Sequence, residues 1–351
     1  MGSPLNREHP EGGRIRERLR EFAAHVGTQS PLYARLAEAT ADDPVAVEIL
    51  GAAPYEQLPA NLLLAAVQYL LLEGASPELA AHYPSVSGDR TKPAGDPVQL
   101  FHDFLVGHRE QVTALVASRR VQTNEVRRCT TLLPAFTAVV EASQPLALIE
   151  VGASAGLNLL FDRYRYDYGS IATGLEGSSL TLTCQIRGGR PPIPMGMPAV
   201  SFRVGLDLHP LDVTDADAVR WARALVWPEQ VERVERLEAA VAIAREDPPT
   251  ILAGDALDLL PGAIAAAPAD AALIVYHSYV LNQWGAEDRA RLDDLLQAAS
   301  GSRTIDRISI EMLVRGEAFP FVDHTRYEGG GTAMRRLGTA HYHGEWLRWE
   351  G

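Results

Sequence analysis

The spacing of apolar residues along the chain changes near residue 145. Before that point apolar residues recur every three or four positions, as one face of a helix requires. The clearest series is Val126, Cys129, Leu133, Phe136 and Val140. After it, short apolar runs alternate with helical or loop segments, and we predict strands at 146–151, 200–206, 250–253, 272–277 and 306–313. The change predicts a helical N-terminal domain over 1–143 and an α/β domain over 144–351.

Strands that alternate with helices favour a mainly parallel sheet covered by helices. An insertion over 164–198 interrupts this order, and in it Tyr164, Tyr166 and Tyr168 alternate with charged residues. This segment predicts a β-hairpin, which is either a polar lid beside a ligand or a paired, solvated hairpin. The tail from Thr332 to Trp349 predicts two antiparallel strands at the end of the sheet.

The amino-acid composition limits the kinds of molecule that the protein is expected to bind. The 351 residues carry a net charge of −13, which argues against nucleic acid, because such binding depends on clustered Lys and Arg. The longest apolar run, Leu62 to Leu72, is too short to cross a bilayer, and the first residues lack the apolar core of a signal peptide. The two cysteines, Cys129 and Cys184, suggest no metal site. We therefore expect a cytoplasmic protein that acts on a small molecule, without a metal, nucleic acid or membrane.

The turn after the first predicted strand is the best candidate for a ligand site. The strand ends in Glu150, and Gly152-Ala-Ser-Ala-Gly156 follows it. Gly152 permits backbone angles closed to other residues, and the small side chains allow a ligand to approach the main chain. A strand, a glycine turn and the start of a helix are typical of a site for a nucleotide-like ligand.

An acidic residue followed by Gly-x-Gly-x-Gly is the first motif of class I S-adenosylmethionine-dependent methyltransferases, and this turn resembles it. Ser154 replaces the middle glycine of that motif. The resemblance implies a Rossmann-like methyltransferase fold for the second domain and S-adenosylmethionine as the cofactor. The Ser154 side chain must then point away from the cofactor or form a hydrogen bond with it.

Acidic residues follow three successive predicted strands: Glu150, Asp207 and Asp255. Parallel strands leave their ligand crevice at their carboxyl ends, so three acids there favour a ligand with hydroxyl and amino groups. Asp207 is the candidate for the ribose hydroxyls, and Asp255 resembles the family position that meets the adenine amino group. The predicted cofactor-binding residues are Glu150, Gly152, Ala153, Ser154, Gly156, Asn158, Asp207, Asp255 and Ala256.

The fourth predicted strand ends in Tyr276-His-Ser-Tyr279. Histidine is the commonest general base in enzymes, so His277 is the candidate to take a proton from a methyl acceptor, although a buried structural histidine fits equally. Tyr276 joins it as a candidate catalytic residue, and Ser278 and Tyr279 are candidates to bind the substrate. Glu311 is an unusual charge in an apolar strand, which either pairs with a basic residue or reaches the same crevice as a third catalytic residue.

Polar residues also begin the last helix before the sheet, at Gln122-Thr-Asn-Glu-Val-Arg-Arg128. Asn124 and Arg128 are candidate substrate-binding residues, because an arginine can hold a carboxylate by a two-point contact. The alternative is ordinary chemistry at a helix start, with a cap residue, a first-turn acid and surface charge.

The stretch from Glu150 to Tyr164 resembles the signature of a bacterial family catalogued as a domain of unknown function, number 2332. Further segments fit that resemblance: Gln122–Glu125, Gly205–Pro210, Trp227–Pro228, Gly254–Asp255 and His277–Ser278. The resemblance covers most of 14–350. It implies a methyltransferase-like domain behind a helical N-terminal region, and it implies no substrate.

We expect methyl transfer to an oxygen or nitrogen of a small acceptor, and two other functions stay open. Gly152-x-Ser154-x-Gly156 also fits the nucleophile elbow of serine hydrolases, with Asp255 and His341 or His343 following in the order of a triad. The third possibility is a methyltransferase fold that binds a ligand or partner without catalysis, because a fold does not determine a function.

Overall fold

The structure is a computed structural model that describes residues 10–88, 93–141, 143–313 and 317–351, without the side chains of residues 10 and 11. The first nine residues, in which we expected no signal peptide, lie outside it. The chain forms two compact units. One comprises the chain up to Thr123 together with Asp215–Glu235, and the other comprises Asn124–Thr214 and Arg236–Gly351. This division lies about twenty residues before the expected boundary at 143.

Helices make up the first unit, and most of them begin at a proline. Proline suits the first helical position because its fixed φ matches the helix and its missing N–H has no partner there anyway. The α-helices of the chain, in both units, are α1 (Pro10–Val26), α2 (Pro31–Thr40), α3 (Pro44–Leu50), α4 (Pro59–Leu72), α5 (Pro77–Ala80), α6 (Pro84–Ser87), α7 (Pro97–Gly107), α8 (Arg109–Ser118), α9 (Cys129–Thr137), α10 (Ala216–Ala224), α11 (Val231–Glu246), α12 (Ala256–Ala266) and α13 (Ala286–Ala299). Among the described residues, none of these helices has both the length and the apolar character needed to span a membrane.

Helix α4 lies at the centre of the first unit. It is apolar nearly all round and buried from Leu62 to Leu71, which is the expected location for such a helix. Its one buried amide, Gln68, accepts a hydrogen bond from the Tyr33 hydroxyl (2.6 Å) and donates one to the Val226 carbonyl (2.9 Å). Val226 follows α10, and Trp221 and Ala224 of α10 belong to the same core. This shared core explains why residues 215–235 belong to the helical unit.

The second unit is a mixed α/β structure built on a mostly parallel central sheet. Its strands are β1 (Leu146–Val151), β2 (Arg165–Asp167), β3 (Ala172–Gly174), β4 (Thr181–Thr183), β5 (Gln185–Gly188), β6 (Val200–Asp207), β7 (Ile251–Ala253), β8 (Ala272–Ser278), β9 (Ile305–Glu311), β10 (Phe321–Glu328), β11 (Gly331–Ala340) and β12 (Trp346–Trp349). The central sheet has the order β5-β12-β11-β10-β9-β8-β1-β6-β7. The five strands β7, β6, β1, β8 and β9 run parallel, which confirms the strands predicted after residue 145.

The antiparallel part of the sheet is larger than predicted. Strands β11 and β12 form the expected terminal pair, but β10 precedes them and pairs with both β9 and β11. Strand β10 was not predicted because its buried apolar residues, Val322 and Tyr327, are separated by polar ones. His324 and Thr325 are buried there, and Arg326 reaches the carboxylate of Asp306.

The two faces of the central sheet have different coverings. Apolar side chains from β1, β6, β8 and β9 pack with α12 and α13 in one core. On the other face lies α9, whose Phe136 ring contacts the Tyr276 ring with centroids 5.1 Å apart. We call these the α12 face and the α9 face. Because successive residues of a strand point to opposite faces, neighbours in sequence at the end of β8 lie on different faces.

The insertion over 164–198 contains the predicted hairpin, formed by β2 and β3, but this hairpin belongs to a larger structure. Strands β3, β2 and β4 form a small separate sheet, and β5 joins the central sheet beside β12. Tyr164, Tyr166 and Tyr168 are all buried, while the charged residues between them are exposed. The Tyr168 hydroxyl donates to the Thr130 carbonyl (2.8 Å), which has lost its usual helical partner because Pro134 has no N–H. The insertion therefore holds α9, including its internal proline, against the sheet.

Candidate functional site

The order of the parallel strands reverses at β1. In chain order these five strands are arranged third, second, first, fourth, fifth, so the connections leave β1 and β8 in opposite directions. Such a reversal opens a crevice at the carboxyl ends of the strands, where open α/β sheets bind ligands. Glu150 lies at this point on β1 and is paired in register with Tyr276 on β8. The predicted site residues at the ends of β1 and β8 therefore lie side by side.

The turn of residues 152–156, which we call the glycine turn, has left-handed backbone angles at three positions. The φ values are 72° at Gly152, 50° at Ser154 and 67° at Gly156. A Cβ on Gly152 would lie 2.3 Å from Cγ2 of Val280, and one on Gly156 would lie 2.7 Å from Cγ of Pro249. Both glycines are thus required by the backbone and by close packing inside the chain. A 3₁₀ helix, Leu157–Arg163, follows the turn in place of a regular α-helix.

All five backbone N–H groups of the glycine turn donate within the protein. Those of Gly152 and Ala153 donate to the Leu206 carbonyl, and that of Gly156 donates to the Ala153 carbonyl. The Ser154 N–H donates to Oδ2 of Asp207 (2.7 Å), and the Ala155 N–H donates to Oδ1 of Asn124 (3.2 Å). The turn is therefore shaped by side chains that we had predicted to bind ligand.

Glu150 is buried on the α9 face among neutral hydrogen-bond donors. Its Oε1 accepts from Nδ2 of Asn158 (3.1 Å), and its Oε2 accepts from the Tyr276 hydroxyl (3.1 Å). Oδ1 of Asn158 in turn accepts from Sγ of Cys129 (3.3 Å). Burial raises the pKa of Glu150 to about 8, although its two donors and the charge of Arg128 act in the opposite direction. Glu150 can therefore exchange a proton near neutral pH.

His277 and Glu311 form a second buried pair on the α12 face. Nδ1 of His277 lies 2.8 Å from Oε1 of Glu311, and the same oxygen accepts from the backbone N–H groups of Val280 (2.9 Å) and Leu281 (3.1 Å). Burial raises the pKa of Glu311, but the hydrogen bond and charge interaction with His277, together with the two backbone hydrogen bonds, outweigh it and hold that pKa below its ordinary value. The carboxylate places the ring proton on Nδ1. Nε2 of His277 is then an acceptor, buried and without a partner among the described residues.

The predicted catalytic residues therefore fall into two groups. His277 and Glu311 form one pair, and Glu311 pairs with no lysine or arginine among the described residues. Tyr276 belongs with Glu150 on the other face of the sheet. The amides of Val280 and Leu281 complete the Glu311 site, and the sequence gives no sign of them because only the fold brings β9 beside the end of β8.

Arg128 connects the start of α9 with the end of β8. Its Nη1 donates to Oγ of Ser278 (3.2 Å), its Nε donates to the Tyr342 carbonyl (3.2 Å), and its guanidinium lies 4.6 Å from the centre of the Tyr279 ring. Tyr279 has a φ of 58°, an uncommon angle for a bulky residue. Three of the four predicted substrate-binding residues, Arg128, Ser278 and Tyr279, are thus in mutual contact.

Asp207 and Asp255 end neighbouring strands, and both make hydrogen bonds to nearby backbone. Besides Ser154, Asp207 accepts from the His209 N–H (2.8 Å) through Oδ1. Asp255 is exposed and caps α12 by accepting from the Leu257 N–H (2.8 Å), directly before the buried Ala256. The capping role is the ordinary one for an aspartate at a helix start. Each carboxylate oxygen retains a lone pair that can accept a further hydrogen bond.

Two buried polar atoms beside the glycine turn have no hydrogen-bond partner among the described residues. They are Nδ2 of Asn124 and Oγ of Ser154. Buried polar groups in folded proteins nearly always have a partner, so each such atom calls for an explanation. Both residues also hold the turn, Asn124 through its side-chain Oδ1 and Ser154 through its backbone N–H. A bound ligand with a hydrogen-bond acceptor and a donor would satisfy them.

Ser154 forms no contact of the kind a catalytic triad needs. Its strained φ suits a nucleophile elbow, but its Oγ is bonded to no imidazole in the part of the chain that is described. Of the two histidines considered for that role, His341 has its Nδ1 3.8 Å from Glu345 and accepts from the His343 N–H. In the same part of the chain, no group of three or more His, Cys, Asp or Glu residues is arranged to hold a metal ion.

Comparison with known families identifies the chain. A family model described as "Uncharacterized protein conserved in bacteria (DUF2332)" matches residues 16–349, so the chain belongs to that family. A comparison with curated proteins found no match.

Proposed function

We propose that this member of the DUF2332 family binds S-adenosylmethionine at the carboxyl ends of β1, β6 and β7 and transfers its methyl group to a small acceptor. The observation that carries the proposal is the pair of buried, unpartnered atoms at the glycine turn, Asn124 Nδ2 and Ser154 Oγ. They lie where the strand order reverses, which is the expected ligand position in such a sheet. A small molecule suits the net charge of −13 better than a nucleic acid does.

The residues around the turn fit an adenosyl ligand in three respects. Asp207 is fixed by the Ser154 and His209 amides and has lone pairs left to accept from ribose hydroxyl groups. Asp255, exposed at the end of the adjacent strand, would accept from the adenine amino group. Asn124 and Ser154 would bond the ligand with the atoms that otherwise have no partner. The amides of the turn are already bonded, so the ligand would bind through side chains.

S-adenosylmethionine supplies the methyl group from its sulfonium, and the chain has to position the acceptor and take its proton. Glu311 holds the His277 ring with the proton on Nδ1, so Nε2 is the atom that would accept a proton from a hydroxyl or amino group. The two backbone amides on Glu311 keep that carboxylate ionised and the ring in place. An acceptor that is already a carboxylate needs no base, and His277 would then only orient it.

Arg128 would make the site prefer an acceptor with a negative charge. Its guanidinium is buried beside Ser278 and Tyr279 and brings a positive charge to the end of β8. A buried positive charge favours a substrate with a carboxylate. The site therefore favours a small anionic acceptor for O- or N-methylation.

Ser154→Ala separates a ligand-binding role from a structural one. Removing a buried hydroxyl that has no partner should leave the stability of the free protein unchanged or slightly higher. Loss of a ligand contact should weaken binding of S-adenosylhomocysteine by about tenfold, since each 1.4 kcal/mol is a factor of ten. Isothermal titration calorimetry measures the affinity, and thermal unfolding with and without ligand measures the stabilisation that binding produces.

Thr131→Val is the matched control, because Thr131 Oγ1 is a second buried hydroxyl without a partner among the described residues. It lies on α9, outside the contacts of the glycine turn. We expect its removal to leave the affinity unchanged. If wild-type protein binds neither S-adenosylmethionine nor S-adenosylhomocysteine, the proposal is wrong.

Two further measurements would favour other functions, namely a serine hydrolase or a protein that binds the ligand without catalysis. The left-handed φ of Ser154 is what a nucleophile elbow requires, so covalent labelling of Ser154 by a fluorophosphonate would favour a serine hydrolase. Binding of the adenosyl ligand without release of S-adenosylhomocysteine, across a set of small carboxylate and amine acceptors, would favour a protein that binds without catalysis.

A further inference from the structure

A second cleft lies at the opposite end of the central sheet, where β8 and β9 begin. Its volume is about 890 Å³, within the range of small-molecule sites. Its polar walls come from β9, β10 and β11 and include Asp306, His324, Arg326 and Arg335. None of these residues belongs to the carboxyl-end site.

Two arginine side chains in the cleft are held in place by fixed partners. Arg326 donates through Nε to Oδ1 of Asp306 (2.9 Å) and through Nη2 to Oδ2 (3.1 Å). Arg335 donates through Nε to Nδ1 of His324 (3.1 Å). Nε2 of His324 lies 2.6 Å from the same Asp306 oxygen, so the ring accepts at Nδ1 and donates at Nε2. The buried Asp306–His324 pair therefore fixes both arginines.

The two guanidinium groups lie next to each other. Arg335 is paired in register with His324, and Arg326 with Ala333, so the two arginines are diagonal neighbours on one face of the β10–β11 pair. Their Nη2 atoms donate to successive carbonyls after α9, Arg335 to Ala138 and Arg326 to Val139, each at 3.1 Å. The Nη1 group of each has no partner among the described residues. Two N–H donor groups are thus available side by side in an ordered arrangement.

The charge of the cleft is opposite to that of the protein. Three guanidinium groups line it, those of Arg303, Arg326 and Arg335, against two carboxylates, those of Glu141 and Asp306. The balance is therefore +1 in a chain with a net charge of −13. A local positive potential on an acidic protein attracts small anions more than it attracts large anionic surfaces.

We propose that this cleft binds the oxyanion group of a small molecule, a phosphate or a carboxylate, through Nη1 of Arg326 and Nη1 of Arg335. Charge-assisted hydrogen bonds from two guanidinium groups are the usual way proteins hold such groups. Because the arginines are already held by Asp306, His324 and the carbonyls after α9, binding requires little further ordering of side chains. The site is independent of the proposed methyl transfer.

Calorimetry and thermal unfolding with inorganic phosphate and with malonate test this site, with ionic strength held constant by sodium chloride. Binding of either anion by wild-type protein is the expected result, and the preferred anion identifies the group. Arg335→Gln should weaken binding by about tenfold or more. Arg336→Gln is the matched control: Arg336 is the next residue on β11 but pairs with Asp323 and lies over the Phe321 ring, so affinity should stay within about twofold.

Ala333→Glu provides a second test that leaves both arginines in place. Ala333 is exposed and paired with Arg326, so a carboxylate there would occupy the Arg326 donor and weaken binding by about tenfold. The proposal is overturned if neither anion binds wild-type protein, or if Arg335→Gln and Ala333→Glu bind as wild type does. No adenosyl ligand is present in this assay, so failure here and failure of the proposed methyl transfer are distinguishable.

Discussion

Glu150 and Glu311 are both buried carboxylates at the carboxyl end of one sheet, yet their pKa values shift in opposite directions. Both side chains are almost inaccessible, at 2% and 4% exposed, so burial disfavours ionisation at each. The difference comes from the donors. Glu150 receives one hydrogen bond at each oxygen, from the neutral groups of Asn158 and Tyr276. Glu311 receives three at a single oxygen, from His277 and two backbone amides.

Burial makes ionisation of a carboxyl group unfavourable at both positions. The number and type of hydrogen-bond donors then decide whether the carboxylate is stabilised enough to form. Three donors and the charge interaction with His277 hold the pKa of Glu311 below its ordinary value, whereas two neutral donors leave the pKa of Glu150 at about 8. The proposed roles follow from this difference. Glu311 stays ionised and orients His277, while Glu150 has a raised pKa and is bonded to Asn158 and Tyr276.

The two carboxylates should affect stability in opposite pH ranges, and Glu150→Gln tests the larger effect. Between pH 4.5 and 8 the unfolded chain ionises this group while the folded protein keeps it protonated, so the free energy of unfolding falls as pH rises. The fall amounts to roughly 5 kcal/mol over that range, at about 1.4 kcal/mol per pH unit. Glu150→Gln removes this contribution, so urea unfolding from pH 5 to pH 8 should show the variant gaining stability relative to wild type.

Glu176→Gln is the control for that series, because Glu176 is exposed in the insertion. Its difference from wild type should be independent of pH. A constant difference for Glu150→Gln as well would mean that Glu150 is ionised in the folded protein at neutral pH, and the contrast with Glu311 would then disappear.

Glu311→Ala should be the next largest effect. The substitution leaves Nδ1 of His277 and the amides of Val280 and Leu281 buried without their acceptor, at a cost of about 3–4 kcal/mol. Glu311→Gln keeps an acceptor oxygen and should cost about half as much. Because the pKa of Glu311 is lowered, its contribution to stability is complete above pH 4.5 and is lost as pH falls below that value. Urea unfolding at pH 7 and at pH 4 measures both properties.

The parallel part of the fold could be predicted from sequence because its strands are short and rich in apolar residues, with continuous apolar runs in β1 and β8. Strands β1 and β8 are buried on both faces along nearly their whole length, and that burial produces the run. Strand β10 could not be predicted in this way because its buried apolar residues, Val322 and Tyr327, are separated by polar residues that include His324 and Arg326, which are both paired with Asp306. Polar side chains that pair with each other inside the protein interrupt the apolar run from which a strand is predicted.

The candidate site was predictable in position but not in its division between two faces. Acidic residues after apolar strands indicate the carboxyl end of the sheet, where Glu150 and Asp207 do lie. The pairing of His277 with Glu311, and of Glu150 with Tyr276, depends on which strands are neighbours and in what register. Neither pairing can be predicted from the spacing of residues along the chain. Gly152 illustrates the same limit, because Val280, which requires it to be glycine, is distant in sequence.

Tyr276→Phe tests how Glu150 is stabilised, because it removes one of the two hydrogen-bond donors to that carboxyl group. The loss should cost about 1–2 kcal/mol where Glu150 is ionised, near pH 9, and less at pH 6, where the carboxyl is protonated. Tyr164→Phe is the matched control, since that buried hydroxyl donates to the Leu157 carbonyl and to no ionisable group. Its cost should be the same at both pH values. An equal, pH-independent cost for the two variants would contradict a role for Tyr276 in stabilising the carboxylate.

Ser278→Ala is expected to have the smallest effect and tests how Arg128 influences Glu150. The charge of Arg128 lowers the pKa of Glu150, and Ser278 accepts a hydrogen bond from its guanidinium at 3.2 Å. If Arg128 lowers the pKa of Glu150 through its charge alone, removing the Ser278 hydroxyl should cost about 0.5–1 kcal/mol at every pH. The free energy of unfolding should then depend on pH as it does in wild type. A changed slope between pH 6 and pH 8 would show that Ser278 holds Arg128 where its charge acts on Glu150. Arg128→Gln, which removes the charge itself, should in either case raise the pKa of Glu150 and extend the loss of stability to higher pH.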